Sequence, residues 1–215
     1  MSKVFYDKPI IDQIFEEFCK SKSKQDQNKL IKLVSILPPE DVNKQNSRNT
    51  ILIEASRYSY TEIVKLLLEK EGIDVNIQNK YENTALIFAS VFINRIEILK
   101  LLLGHKDIDV NIQNNEGNTA LMVASPRGHT EVVKLLLEKE GINVNIQNNE
   151  GNTALIYASS CGCAEIVKLL LEHKDIDVNI QDNNGNTAPT IASRKGYNEI
   201  VDLLEGHKSN KKIDL

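Results

Sequence analysis

Few residues in this chain have the types and spacing for covalent or metal chemistry. Cys161-Gly162-Cys163 sets two thiols two positions apart, which is a fragment of a metal or redox site. Cys-x-Cys is a weaker signal than the spaced pairs of zinc modules, no second Cys pair exists, and the chain's remaining cysteine, Cys19, stands alone. The four histidines, His105, His129, His173 and His207, are scattered. No Gly-rich phosphate loop, nucleophile elbow or paired-carboxylate pocket is visible in the sequence. Gly117, Gly151 and Gly185 are each followed by Asn-Thr and belong to turns. Catalysis, a cofactor and a metal are therefore not expected. What remains is recognition chemistry, because Tyr58, Tyr81, Phe92 and Arg127 are residue types that dominate interface hot spots.

The elements that must position these residues recur. The stretch 117–150, GNTALMVASPRGHTEVVKLLLEKEGINVNIQNNE, is followed at Gly151 by the near copy GNTALIYASSCGCAEIVKLLLEHKDIDVNIQDNN. Aligned on the opening threonine, the copies start at Thr50, Thr84, Thr119, Thr153 and Thr187, spaced 34, 35, 34 and 34. A fixed period in this range marks a solenoid of stacked units. His105 and His173 then fall at one position two units apart, too distant to share an ion.

Each unit has its own local logic. Thr119 is an N-cap for a short helix reaching about Arg127. Gly128 supplies a permissive turn, and a second helix spans about Thr130 to Lys139 with Glu131 in its first turn. Val132, Val133, Leu135, Leu136 and Leu137 give it more apolar width than one exposed amphipathic face needs. An alternating piece (Ile142, Val144, Ile146) and the turn residues Asn148 to Gly151 predict an extended hairpin to the next unit. Helices this short do not persist alone in water, so stacking must supply the stability.

Composition bounds the partners. Net charge is −4, which disfavours nucleic acid, whose binders carry a basic field. No apolar run approaches the ~18 residues of a membrane span, and MSKVFYDKPIIDQ lacks an apolar h-region, so neither membrane nor secretion is expected. Three cysteines, an odd number without framework spacing, suit a reducing compartment. The expected location is cytoplasmic, which would be a host-cell cytoplasm if the source were a pathogen.

Residues 1–46 lack the threonine opening, yet aligning Lys32-Leu33-Val34-Ser35 with Lys65-Leu66-Leu67-Leu68 also aligns Asp41-Val42-Asn43 with Asp74-Val75-Asn76. This segment is thus a degenerate N-terminal capping repeat, with helices over Pro9–Lys20 and Asn28–Leu37 and Cys19 as a core thiol. Pro38 and Pro39 stop its second helix. Four internal repeats follow within 47–183, at about 47–79, 80–114, 115–148 and 149–182. A C-terminal capping repeat covers 183–206, where Glu205 replaces a leucine, and 207–215 is a frayed polar tail. Ser59 stands at the turn-glycine position, a mild backbone penalty if it is left-handed, and Asn94, beside the one-residue insertion at 91–96, falls on the same position and suits a left-handed turn. Pro126 shortens or kinks its helix.

These residues resemble the ankyrin repeat family. The carriers are the opening Thr119-Ala120-Leu121-Met122-Val123-Ala124-Ser125, the turn Gly128-His129, the helix Val133-Lys134-Leu135-Leu136-Leu137 and the exit Gly141-Ile142-Asn143-Val144-Asn145. The family's opening Pro and His are missing from every copy, and one extra residue precedes the exit, lengthening the usual period of about 33. The resemblance covers roughly residues 8 to 206. It implies an all-α solenoid of about six helix-turn-helix repeats with connecting β-hairpin loops, acting as a non-catalytic protein-binding adaptor. In that family, ligands meet the hairpin tips and first-helix ends, which line a concave face. Carried over, the helix-end pairs are Arg57-Tyr58, Val91-Phe92, Pro126-Arg127, Ser160-Cys161 and Arg194-Lys195, and the tips include Lys80-Tyr81, Asn114-Asn115, Asn148-Asn149 and Asp182-Asn183. Basic, apolar, basic, small, basic is the resulting order. It suits a protein or extended peptide with acidic groups flanking an apolar one. The expected binding set is Arg57, Tyr58, Tyr81, Val91, Phe92, Arg127, Cys161, Arg194 and Lys195, on a monomer. The rival expectation is a structural spacer or self-associating scaffold whose concave face has no dedicated ligand.

Overall fold

The computed structural model describes residues 8–20 and 24–211. Their helices form six consecutive pairs: α1 (Ile10–Lys20) with α2 (Lys24–Ser35), α3 (Ile51–Arg57) with α4 (Thr61–Leu68), α5 (Ala85–Ser90) with α6 (Ile96–Leu103), α7 (Ala120–Ala124) with α8 (Thr130–Leu137), α9 (Ala154–Ser160) with α10 (Ala164–Leu171), and α11 (Ala188–Lys195) with α12 (Asn198–Lys211). First helices pack on first helices of adjacent pairs, and second helices on second helices. The degenerate first unit therefore takes its place in the stack, with both helices close to where the sequence puts them.

The threonine that opens each copy caps its helix. The hydroxyls of Thr50, Thr84, Thr119 and Thr153 accept from the backbone N–H three residues on at 3.2–3.3 Å. Thr187 does so at 3.4 Å and completes a reciprocal capping box with Thr190. Pro126 cuts α7 to five residues and turns its end into a 3-10 segment, Ser125–Arg127. One apolar core runs through all the pairs. Ile63, Leu67, Ile98, Leu102, Val132, Leu136, Ile166 and Leu170 on the second helices are at most 1% exposed. Truncating a side chain so enclosed to alanine costs about 2–5 kcal/mol, and that burial is what holds helices of five to eight residues. The outer charges of the second helices pair across units, Lys100 with Glu131 at 3.2 Å and Lys168 with Glu199 at 3.9 Å. Exposed pairs of this kind contribute under ~1 kcal/mol each.

Three expectations are corrected. The alternating exits do not form β-hairpins: among the described residues the ladder is limited to one bridge, Gln45 with Thr50. Val42, Val75, Val110 and Val144 point into the core as alternation requires, but side-chain amides bond the loops instead. Asn94 is not left-handed; the insertion converts its turn into a 3-10 segment, Ile93–Arg95. Among the described residues, the left-handed non-glycine residues are Ser59, at the turn-glycine position, and Glu82. Finally, α12 continues through Lys211, past the expected end of order at 206. The expected core placement of the Cys19 side chain falls outside the described residues, as do 212–215 of the tail.

Candidate partner-binding surface

Three of the cations near the first-helix ends, Arg127, Lys195 and Arg95, meet backbone carbonyls. Short helices leave carbonyls unpaired at their C-termini, and cations are the side chains that satisfy them there. Arg127 donates to the carbonyl of Val123 in its own helix. Lys195 reaches back one unit to the carbonyl of Ser160 at 2.6 Å. Arg95 does the same more extensively, donating to Phe88 O at 2.7 Å and to Arg57 O at 2.6 Å. Arg57 itself lies 3.7 Å from Glu54, and Arg194 donates to Asn186 Oδ1 at 2.9 Å. The aromatic members of the expected set are solvent-facing: Tyr58 terminates α3, and Phe92 follows Val91, the half-buried residue that ends α5.

The structure brings the expected residues together in groups. Arg95 ties the Arg57-Tyr58 end to the Val91-Phe92 end. Lys195 lies against the α9 end that carries Ser160 and the exposed Cys161, and Cys163 Sγ sits 3.9 Å from the carbonyl of Pro126, beside Arg127. Tyr81 stands apart on a loop tip, its ring 4.6 Å from Lys80 Nζ. A hydrogen bond to Lys80, then the charges of Lys80 and Arg48, hold its hydroxyl below the ordinary tyrosine range. Arg95 and Ile93 are surface residues that the sequence reading missed, and the one-residue insertion was the signal that could have found them.

The loop tips are held by three amide ladders. Asn79, Asn114 and Asn148 are buried; each donates its Nδ2 to the Oδ1 of Asn49, Asn83 and Asn118 in the preceding unit, at 2.7, 3.0 and 2.9 Å. Their own Oδ1 atoms close the turn, as Asn148 does on the N–H groups of Glu150 at 3.0 Å and Asn152 at 2.8 Å. Gln78, Gln113 and Gln147 each donate forward to the carbonyl of the next unit's glutamine, at 2.9–3.0 Å. The exit asparagines Asn76, Asn111 and Asn145 donate to one carbonyl of the next unit and accept from one of its N–H groups. The repeated Asn and Gln letters thus set the spacing of the tips.

Cys161 and Cys163 are free thiols. Burial first, and then the neighbouring Cys161, push the Cys163 thiol up, which disfavours the reactive thiolate. His105 and His173 each accept a backbone N–H two residues on, at 3.3 Å, closing the turn after the second helix. Among the described residues, no three His, Cys, Asp or Glu side chains are grouped to hold a metal ion. No helix there is long and apolar enough to cross a membrane. Two open grooves, about 690 Å³ between α10 and α12 and about 440 Å³ between α4 and α6, lie along the second helices, away from the expected set.

Comparison with known proteins agrees with this geometry. The family model for ankyrin repeats in three copies matches residues 21–114, 107–182 and 142–214. Among solved structures, EF0377, an ankyrin repeat protein, is 33% identical with a TM-score of 0.79, over 91% of this chain and 97% of its own. An ankyrin repeat domain, ABAYE2397 of Acinetobacter baumannii AYE, is 29% identical with a TM-score of 0.78, over 92% and 97%. No curated protein matches the sequence. Ankyrin repeats are generally protein-interaction modules without catalytic activity. With capped helix pairs stacked in register, tips joined by amide ladders and family matches spanning nearly all of it, this chain belongs to the ankyrin repeat family.

Proposed function

We propose that this chain is a non-catalytic adaptor that binds a partner protein, or an extended segment of one, on the concave face formed by its first-helix ends and loop tips. The contact set is Arg57, Tyr58, Tyr81, Val91, Phe92, Arg127, Cys161, Arg194 and Lys195, and the partner segment carries acidic groups around an apolar one. A monomer acting in the cytoplasm is part of the proposal. One contrast supports it. Helix interiors and loops repeat the same bonds from unit to unit, whereas the helix ends are exposed and change residue type. Positions released from packing are where specificity is free to develop.

A second reading, a spacer or self-associating scaffold, draws support from the carbonyl bonds of Arg127 and Lys195, since a cation that completes a helix end already has a structural use. Affinity capture separates the two. The adaptor reading expects specific partners held by the wild-type chain and released by the combined variant Tyr58→Ala, Phe92→Ala, Arg127→Glu. Retention of every partner by that variant would leave the scaffold reading.

A further inference from the structure

Two exposed aromatic residues, Tyr58 and Phe92, and two arginines, Arg57 and Arg95, meet where the second and third helix pairs join, at the connector with the extra residue. There Phe92 is extended and Ile93–Arg95 makes a 3-10 segment. The detour leaves Phe92 52% and Ile93 56% exposed and turns Arg95 back toward the preceding unit. The Arg95 guanidinium bonds Phe88 O and Arg57 O, reaches Ser59 Oγ at 3.4 Å, and lies 4.5 Å from the centre of the Phe92 ring. Across this bridge the Arg57 guanidinium lies 5.3 Å over Tyr58, which is 44% exposed and stacked beside Tyr60 and Phe18 at 6.0 and 6.4 Å. Tyr58, Arg57, Arg95, Phe92 and Ile93 thus form one unbroken strip across two units.

The charge of this strip is not balanced. Among the described residues its two guanidinium groups have one carboxylate partner, Glu54, at 3.7 Å from Arg57. Arg95 is satisfied by two carbonyls and a hydroxyl, which are dipoles and leave its full charge in place. Its burial, followed by the nearby charge of Arg57, lowers its basicity, as expected for a cation in want of an anion. A carboxylate arriving here gains charge-assisted hydrogen bonds in a partly desolvated site, and an aromatic or branched side chain beside it gains apolar area and ring contacts.

We infer that the junction of the second and third units is a compact docking site for a short acidic peptide segment with an aromatic or branched apolar anchor. Its carboxylates meet Arg57 and Arg95, and its anchor sits on Tyr58, Phe92 and Ile93. This rests on the reading that the helix ends bind a partner and narrows it from the whole row to one junction, leaving Arg127, Arg194 and Lys195 outside. A second copy of the chain is a poorer occupant, because a two-fold contact through this strip would oppose like charges. Nucleic acid is poorer still, since the chain is net negative and offers no extended basic field.

The test uses phage-displayed random dodecapeptides panned on the immobilised full chain, with enriched sequences then synthesised, fluorescein-labelled and titrated by anisotropy. Enrichment of Asp or Glu around Phe, Trp, Leu or Ile is expected. So is a loss of roughly tenfold or more in affinity for Arg57→Glu and for Phe92→Ser, each several-fold larger than any loss on Arg127→Glu or Arg194→Glu. Circular dichroism confirms that these exposed substitutions leave the helices intact. No enrichment, or enrichment without acidic residues, overturns the inference. So does a wild-type dimer in sedimentation that Phe92→Ser dissolves, because the occupant would then be a second copy. Loss on Arg127→Glu or Arg194→Glu alone overturns the junction while the broader row survives. Indifference to all four variants removes both.

Discussion

Gly151 and Gly185 occupy the same place in consecutive loop tips, with φ of 79° and 78°, but only the first is covered by a following unit. A Cβ at Gly185 would meet nothing within 4 Å. Gly185→Ala therefore carries only the penalty of an L-residue in the left-handed region, about 1–2 kcal/mol. A Cβ at Gly151 would lie 2.6 Å from Asn183 Oδ1, 2.7 Å from Asn183 N and 3.0 Å from the carbonyl carbon of Asp182. Two of those atoms are backbone, so the next tip must move away. Moving it strains the bonds from Asn183 N to Glu150 O at 3.0 Å and from Asn183 Nδ2 to Asn149 O at 2.9 Å. At about 0.5–1.5 kcal/mol for each bond, Gly151→Ala should cost roughly 2–5 kcal/mol, clearly more than its twin. Urea unfolding followed by helical circular dichroism measures both. Equal losses, or a larger loss at Gly185, would mean that adjacent tips do not touch as described and that the stacking register is wrong.

Glu82 fills the corresponding tip position two units before Gly151 with φ of 59°, so Glu82→Gly should stabilise the chain by about 1 kcal/mol, seen as a higher urea midpoint. Asn148→Ala removes the acceptor for the N–H groups of Glu150 and Asn152 and the donor to Asn118 Oδ1 and Tyr157 Oη; a loss of about 3 kcal/mol is expected in the same assay. At Asp182 desolvation acts upward, but hydrogen bonds from the Asn186 side chain and from the N–H groups of Asn186 and Asn184, with Arg194 nearby, outweigh it and hold the carboxyl below its ordinary value of 3.8. A lowered folded value gives stability that is present above pH 3.8 and lost as pH falls through the folded value, so Asp182→Asn should flatten the acid limb of urea midpoints measured between pH 2.5 and 7. Asp182 also cannot donate to the preceding unit as Asn148 does, so native-state hydrogen exchange should find α11 and α12 opening at lower free energy than α7 to α10; uniform protection would contradict this.

Much of the stack was legible because its causes are local letters. A threonine before an apolar run is a cap wherever it recurs, and five of them at a near-constant spacing fix the units. Aligning Val42 with Val75 recovered the first unit because both valines plug the same core position. The failures share a different origin. Asn94 invited a left-handed turn, but one added residue gives the chain enough length to cross by a 3-10 segment instead. Glu82 gave no warning, since a left-handed glutamate is decided by its neighbours and not by its own preference. The alternating exits looked like strands because alternation reports burial, not backbone pairing; the amides that do the bonding were visible as letters but their partners were not.

The same distinction explains why the candidate site was only partly readable. A cation's use at a helix end depends on which carbonyl it meets, and carbonyls have no letter in a sequence. Arg127, Lys195 and Arg95 look alike as basic residues at one row of helix ends. The first two are each bonded to a single carbonyl, whereas Arg95 bridges two units beside exposed aromatic surface. Amide ladders keep the spacing between units nearly constant, so a change at one connector is not diluted along the array and remains where it occurs. An insertion at 91–96 can therefore alter a single junction without disturbing the stack. That makes the irregular unit, not the regular ones, the place where this chain differs most from a plain array and where the proposed partner would have most to recognise.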